Sequence, residues 1–144
     1  MSKLLNWEPK YQLNVEDIDF QHRYFLNLIN RLSKQLEKTD NFDYGTRLAL
    51  ELNAYVKFHF ISEENMMLVS EYPLLDEHQM LHHKLLQDLS VKQAHLALNR
   101  TMEEAKELLE FLIKWFLFHT AEQDKKFADF LHEKMRTPGT AHVE

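Results

Sequence analysis

The chain has 144 residues, 44% of them hydrophobic, which suits one domain with a hydrophobic core. It contains no cysteine, and this excludes disulfide scaffolds, thiolate metal sites and cysteine nucleophiles. The net charge is −6 without a basic stripe, and no apolar run approaches the roughly 20 residues of a membrane span, so we expect a soluble cytoplasmic protein with no nucleic acid partner.

Long helices are the elements that the composition favours, because only 2 glycines and 3 prolines interrupt the chain. Residues 1–16 show no helical period and predict an extended N-terminal arm that packs on the protein by its aromatic side chains; the alternative is a floppy leader. Apolar residues then recur at spacings of three and four, which predicts helices over residues 17–37, 42–69, 74–98 and 102–134. Residues 135–144 predict a flexible tail.

Short turns join these predicted helices. Residues 38–41 form a polar turn, and Tyr72-Pro73 breaks the chain between the second and third helices. Thr101 and Glu104 match a capping box at the start of the fourth helix. We therefore predict an all-α, up-down-up-down antiparallel four-helix bundle over residues 17–134, within a single domain that spans 1–144.

Side chains of the kind that bind metals lie on every helix. They are His22 on the first, His59 and Glu63 on the second, His78 and His82 on the third, and His119 and Asp124 on the fourth. All except Asp124 fall on the core-facing stripe. Asp124 follows His119 by five residues, about 140° around an ideal helix, so both reach one site only if Asp124 reaches sideways or the helix is locally wide.

A single buried histidine is more often a satisfied core residue than a metal ligand. A carboxylate on a core stripe, such as Glu63, is costly unless it is paired or bound to a metal. Together, the ligand-type residues near the middle of every stripe predict a metal site, with iron, manganese or zinc as the candidates. The other histidines lie near helix ends, in the tail or beside a ligand, and are expected to be exposed: His83, His95, His132 and His142.

The predicted ligands are too many for one ion, so two ions are implied. If both carboxylates and one hydroxide bridge the two ions, all but one of the octahedral positions are filled, which leaves a site for one small exogenous ligand. When each ion gives up one electron to dioxygen, the bound dioxygen becomes peroxide and takes the bridging proton, so the summed charge of the site stays the same. A dry apolar pocket can therefore hold both states, and this favours reversible dioxygen binding over oxidation chemistry.

With these residues in hand, the sequence resembles the hemerythrins, most of all the single-domain bacterial kind (bacteriohemerythrins), over about residues 5–133. The matching pieces are Ile18-Asp19-Phe20-Gln21-His22, His59-Phe60, Glu63-Glu64, Glu71-Tyr72-Pro73, His78, His82, Trp115, His119 and Asp124, with Trp7 in the arm. The resemblance implies a non-haem di-iron centre, with two iron ions and a bridging oxo or hydroxo group, that binds O2 reversibly at one iron.

The resemblance also assigns roles by motif position. It gives His78, His82 and His119 to the closed iron, His22 and His59 to the open iron, and Glu63 and Asp124 to the bridges between them. The pocket over the open iron is expected to involve Phe25, Phe60, Trp115, Thr120 and Ala121. The family often has bulky apolar residues where this chain has Thr120-Ala121, so we expect a more open path for water and faster autoxidation.

These residues favour an oxygen carrier or store that is not an enzyme, with nitric oxide and small anions such as azide as further ligands of the open iron. A recipient oxidase is not identified by the sequence. The alternatives are a module that senses O2, nitric oxide or redox state, a di-iron oxidase or peroxidase, and a plain bundle with structural histidines. Sensors are usually fused to a signalling module, which these residues do not contain, so we expect the carrier.

Overall fold

The computed structural model describes residues 5–37 and 42–136. Helix α1 spans Glu16–Leu36, α2 Phe42–Val69, α3 Leu75–Asn99, α4 Met102–Phe118 and α5 Lys125–Arg136. A π-helical turn over His119–Asp124, called the π segment below, joins α4 to α5. The predicted all-α four-helix bundle is confirmed, with α4, the π segment and α5 together forming its fourth helix.

The predicted helix boundaries differ from the observed ones by only one or two residues, but the fourth helix is not one regular α-helix. The predicted turn at 38–41, the tail from 137 onward and the first four residues of the arm lie outside the described residues. No helix in the described ranges is long and apolar enough to cross a membrane.

The apolar core is divided into two clusters by a polar layer. Each helix packs on the next one in the chain, and α1 also packs on α4. The larger cluster includes Phe25, Phe60 and Phe116, and the smaller one includes Ile18 and Phe127. The predicted ligands lie between these two apolar clusters, so they are positioned by hydrophobic packing on both sides.

Local signals in the sequence end and begin the helices as predicted. The hydroxyl of Thr101 accepts a hydrogen bond from the Glu104 backbone N–H (3.2 Å), which is one half of the expected capping box. Tyr72, in the connection between α2 and α3, is buried and packs on Phe127 with ring centroids 5.1 Å apart. That connection turns the chain back, so that α3 packs along α2.

The described part of the N-terminal arm is packed against the bundle. It is not extended throughout, because Pro9–Tyr11 forms a 3₁₀ turn. The Asn30 side chain pairs with both backbone groups of Leu5, at 2.8 and 2.7 Å. Tyr11 is buried, with its ring 5.4 Å from that of Phe116. The arm therefore covers part of the core beside the predicted site.

Two further contacts hold the arm where it meets α1. The carboxylate of Asp19 accepts hydrogen bonds from the backbone N–H groups of Leu13 and Asn14, at 2.8 and 2.9 Å. The Nε2 of His132 donates to the Leu13 carbonyl oxygen at 2.8 Å. His132 is therefore half-buried, and the expectation that it is solvent-exposed was wrong.

Candidate metal centre

The seven ligand-type side chains that the sequence singled out lie together in the polar layer between the two apolar clusters. Their exposed fractions do not exceed 4%, and those of the two carboxylates are 0%. Their ligand atoms form two groups that share both carboxylates. One contains His78, His82 and His119 and the other contains His22 and His59, each together with Glu63 and Asp124.

The rings of the histidines show the same division. In the three-histidine group the ring centroids lie 4.5 Å (His78 to His82) and 5.2 Å (His119 to each of the other two) apart. In the two-histidine group the rings of His22 and His59 are 4.9 Å apart. The structure therefore forms two adjacent donor sets of unequal size.

The carboxylate of Asp124 lies between the two groups, with one oxygen directed to each. Its Oδ1 is 2.9 Å from His119 Nε2 and 3.2 Å from His78 Nε2, whereas its Oδ2 is 2.9 Å from His22 Nε2. Glu63 Oε1 is 3.3 Å from His78 Nε2 and 3.2 Å from His82 Nε2. Two ligand atoms at about 2.1 Å from one ion and at right angles to each other lie about 3.0 Å apart, so these separations fit a shared ion.

Several of these atoms have no hydrogen-bond partner within the described residues. They are His59 Nε2, His82 Nε2, His119 Nε2, both carboxylate oxygens of Glu63 and Asp124 Oδ2. The nearby nitrogen and oxygen atoms are close in distance, but few are directed at one another as donor and acceptor. Buried polar atoms left in this state are costly, and metal ions would satisfy them. The residues present therefore fit a pair of metal ions.

The π segment explains how Asp124 reaches the site. In an α-helix, residues five apart lie on different faces, and the sequence placed Asp124 away from the core stripe for that reason. A π-helix has hydrogen bonds from residue i to i+5, so its turn is wider by about one residue and brings residues five apart into line. His119 and Asp124 are the first and last residues of the π segment, and both are buried. The locally wide helix considered from the sequence is the arrangement observed.

Protonation of the metal-free site is set by burial and by hydrogen bonds. Burial lowers the pKa of His59 to about 4, so its ring is neutral. Burial also acts to lower the pKa of His78, but the carboxylates of Asp124 and Glu63, which lie 3.2 and 3.3 Å from its Nε2, outweigh burial and raise the pKa to about 9. Burial and the Asp124 charge raise the pKa of Glu63, yet the rings of His78 and His82, whose Nε2 atoms lie 3.3 and 3.2 Å from its Oε1, bring it below its ordinary value. Burial raises the pKa of Asp124, but the neighbouring rings of His119, His22 and His78 bring it well below its ordinary value. Both carboxylates are thus ionised, and a metal ion would displace a proton from the imidazoles.

Two residues that contact the candidate ligands belong to the sequence motifs but had no predicted role. Gln21 Oε1 lies 2.6 Å from His59 Nδ1, and Glu64 Oε2 lies 2.7 Å from His82 Nδ1. Each holds the outer nitrogen of a ring whose inner nitrogen faces the cluster. Because each of these contacts joins side chains on two different helices, the periodicity of one helix does not reveal it. The only sequence signal was their position next to predicted ligands.

Aromatic side chains cover the site on the side of the larger cluster. The Phe60 ring stacks on that of His82, with centroids 3.7 Å apart, and Trp115 stacks on His119 at 5.5 Å. Phe25 and Phe60 lie 4.9 and 5.6 Å from Trp115, so the three predicted pocket aromatics are in contact.

The other predicted pocket residues lie in the π segment, where Thr120 is buried and Ala121 is half-buried. Phe116 is not among the pocket residues expected from the sequence. Its ring lies 6.0 Å from that of His22 and 5.6 Å from that of Phe25, which places it at the two-histidine group. Of the histidines expected to be exposed, His83 and His95 are exposed, and His142 lies outside the described residues.

The chain is similar to known proteins over most of its length. The family model of the hemerythrin HHE cation binding domain matches residues 13–131. The bacteriohemerythrin of Clostridium acetobutylicum is 26% identical over 129 residues, which cover 85% of this chain and 98% of the relative. A bacteriohemerythrin of Campylobacter jejuni is 26% identical over 134 residues, 90% of this chain and 96% of the relative. That of Stenotrophomonas maltophilia is 25% identical over 126 residues, 88% of this chain and 80% of the relative.

Proposed function

The chain belongs to the hemerythrin family, and on this premise we propose that it binds dioxygen reversibly at a non-haem di-iron centre. The observation that carries the proposal is the pair of buried donor sets that share Glu63 and Asp124. Three histidines would hold one ion and two would hold the other, which would leave a coordination position for an exogenous ligand at the two-histidine ion. The biological role is transport, storage or delivery of O2.

In this proposal each side chain has a definite task. His78, His82 and His119 would hold the closed ion, and His22 and His59 would hold the open ion. Glu63 and Asp124 would be shared by the two ions, together with an oxo or hydroxo group. Imidazole and carboxylate ligands without thiolate suit iron. When bound, the iron pair would supply the electrons that a dioxygen ligand takes up and returns.

The protein's own contribution is to keep water and protons away from the open position. The rings of Phe25, Phe60, Trp115 and Phe116 form an apolar wall over the donor sets. A wall of this kind lowers the local dielectric and restricts the hydrolysis and proton entry that would convert a bound ligand irreversibly. The neutral ring of His59 adds no charge to that side of the site. These features favour reversible binding over sustained catalysis, so we propose a carrier and not an enzyme.

Metal analysis combined with an optical spectrum in air tests this proposal. We expect two irons per chain and a visible absorption band that disappears under vacuum and returns in air. Azide and nitric oxide should compete with O2 for the same position. Zinc alone, no metal or a band that does not reverse would overturn the proposal, and sustained turnover with a reductant would favour an oxidase or peroxidase.

Two neighbouring histidines on α3 provide a matched pair of variants. His82 is buried at the three-histidine group, whereas the next residue, His83, is exposed. The His82→Ala variant should lose iron and the visible band, and His83→Ala should retain both. Equal iron content in the two variants would show that the buried cluster is not the iron site.

A further inference from the structure

The two donor sets differ in the chemical nature of the group that accepts a hydrogen bond from their histidines. In the three-histidine set, His82 Nδ1 pairs with a carboxylate oxygen of Glu64 at 2.7 Å. In the two-histidine set, His59 Nδ1 pairs with the amide oxygen of Gln21 at 2.6 Å. The two contacts have nearly the same length, but one acceptor carries a full negative charge and the other is neutral.

Both acceptors are held in place by a second contact. The amide nitrogen of Gln21 donates to the hydroxyl of Ser62 at 3.1 Å, which leaves its oxygen facing His59. The other carboxylate oxygen of Glu64 accepts from Gln79 Nε2 at 3.2 Å. Each acceptor therefore orients its ring for coordination through Nε2.

Other outer nitrogens of the cluster lack such support. The Nδ1 atoms of His22 and His119 have no hydrogen-bond partner in the part of the chain that the structure describes. Among the outer nitrogens of His22, His59, His82 and His119, those of His59 and His82 are thus the ones with a side-chain partner in the described residues, and the two partners differ in charge type.

A charged acceptor affects how easily the bound ion is oxidised, in addition to orienting the ring. A carboxylate that takes a hydrogen bond from Nδ1–H draws the proton toward itself and makes the imidazole a stronger donor through Nε2. Stronger donation and the added negative charge both stabilise the more oxidised ion. A neutral amide orients the ring in the same way without adding a charge.

We propose that Glu64 and Gln21 are positioning residues that make the two ions unequal, so that the three-histidine ion is the easier one to oxidise. The inference rests on the proposed di-iron function. One electron would pass from the three-histidine iron to an external one-electron oxidant such as ferricyanide, while the shared proton stays between His82 Nδ1 and Glu64. The two-histidine iron, where the exogenous ligand binds, then keeps its electron.

Exchange of the two acceptor types tests this directly. Glu64→Gln should disfavour the first oxidation by at least tenfold, which corresponds to a rise of about 59 mV for one electron. Gln21→Glu should shift the equilibrium in the opposite direction, because it places a charge beside the two-histidine ion. The double variant, Gln21→Glu with Glu64→Gln, keeps the total charge and both hydrogen bonds but moves the charge to the other ion.

Azide affinity at the one-electron stage reports which ion has been oxidised, because an anion binds the open ion more tightly when that ion is ferric. The unaltered protein should bind azide weakly at this stage, and the double variant at least tenfold more tightly. Redox titration and iron-57 Mössbauer spectra would accompany the azide titration, with iron content and thermal unfolding measured for every variant.

Asp76→Asn is the matched control for charge. Asp76 is exposed and lines the same surface groove as Glu64 and His82, so the change removes one nearby carboxylate without affecting a bond to a ligand. It should shift the first oxidation by less than threefold. An equal shift in Asp76→Asn and Glu64→Gln would show that the effect comes from the electrostatic field of nearby charges and not from the hydrogen bond to His82. That result would overturn the proposal.

The remaining outcomes are also decisive. If Glu64→Gln fails to fold or to hold two irons, Gln21→Glu alone still tests the sign of the effect, and no shift or a shift in the wrong direction overturns the proposal. If the unaltered protein holds no iron pair, the proposed function fails and the inference fails with it. If it holds two irons and binds O2, but the exchanged variants behave like the unaltered protein, only this inference is wrong.

Discussion

Phe116 and Phe118 provide a quantitative test of the packing that encloses the candidate metal centre. They lie two residues apart on α4, yet Phe116 is 1% exposed and Phe118 is 65% exposed. The Phe116 ring contacts those of Tyr11, His22 and Phe25, with centroids 5.4, 6.0 and 5.6 Å away. Replacement of a buried phenylalanine by alanine costs about 3–5 kcal/mol, and the three ring contacts favour the upper half of that range.

The same substitution at Phe118 should cost about 0.5–1 kcal/mol, because only about a third of that side chain is buried and full burial is worth about 1.5–3 kcal/mol. Urea unfolding at constant pH and iron content measures the two changes. The m-value should stay the same in both variants, so that the midpoints report the free energy of unfolding. Phe116→Ala should also hasten loss of the O2-bound form, because the cavity opens beside His22.

A free-energy loss below about 1 kcal/mol for Phe116→Ala, or equal losses for the two variants, would refute the placement of Phe116 in the core. A large loss of stability with no change in the lifetime of the O2-bound form would still support the placement of Phe116 in the core. It would show that Phe116 does not restrict access to the open ion.

Four further predictions concern the ligand pocket, the protons of the site and a helix end. Thr120→Ile should slow conversion to the fully oxidised form, which is measured as the decay of the visible band in air. An unchanged rate would contradict the predicted path for water. Iron loading of the metal-free protein at pH 7.5 should release a proton from His78, whose pKa is about 9, and the release in weakly buffered dye solution should decline above pH 9. In the metal-free protein, the protonated His78 ring stabilises the fold fully below pH 6.5, and this contribution should be lost as the pH rises through about 9. Thr101→Ala removes the hydrogen bond to the Glu104 backbone and should cost about 1 kcal/mol in urea unfolding, whereas Thr101→Ser should cost far less.

The bundle was predictable because its signals are local. Spacings of three and four place the apolar residues of each helix on one face, and burial of that face against the other helices gives the bundle. The connection at Tyr72-Pro73 was marked by turn-forming residues, and Thr101 by its capping pattern. The arm was less predictable, since the 3₁₀ turn over Pro9–Tyr11 depends on packing against the bundle.

The candidate site was predictable to the extent that ligands follow the helical period. His22, His59, Glu63, His78 and His82 fall on core-facing stripes, and the structure brings them together. That these residues bind iron, and in the roles assigned to them, stays a prediction.

The sequence alone determined which side chains are candidate donors and which helices carry them, since residue type and helical period are properties of the chain itself. Tertiary structure decided the rest. The π segment turns Asp124 into the core, although an ideal helix would direct it elsewhere. The partners of the ligand rings, Gln21 and Glu64, and the wall formed by Phe116 depend on which side chains of different helices meet. Such contacts are fixed by the packing of whole helices, which cannot be inferred from a short stretch of sequence.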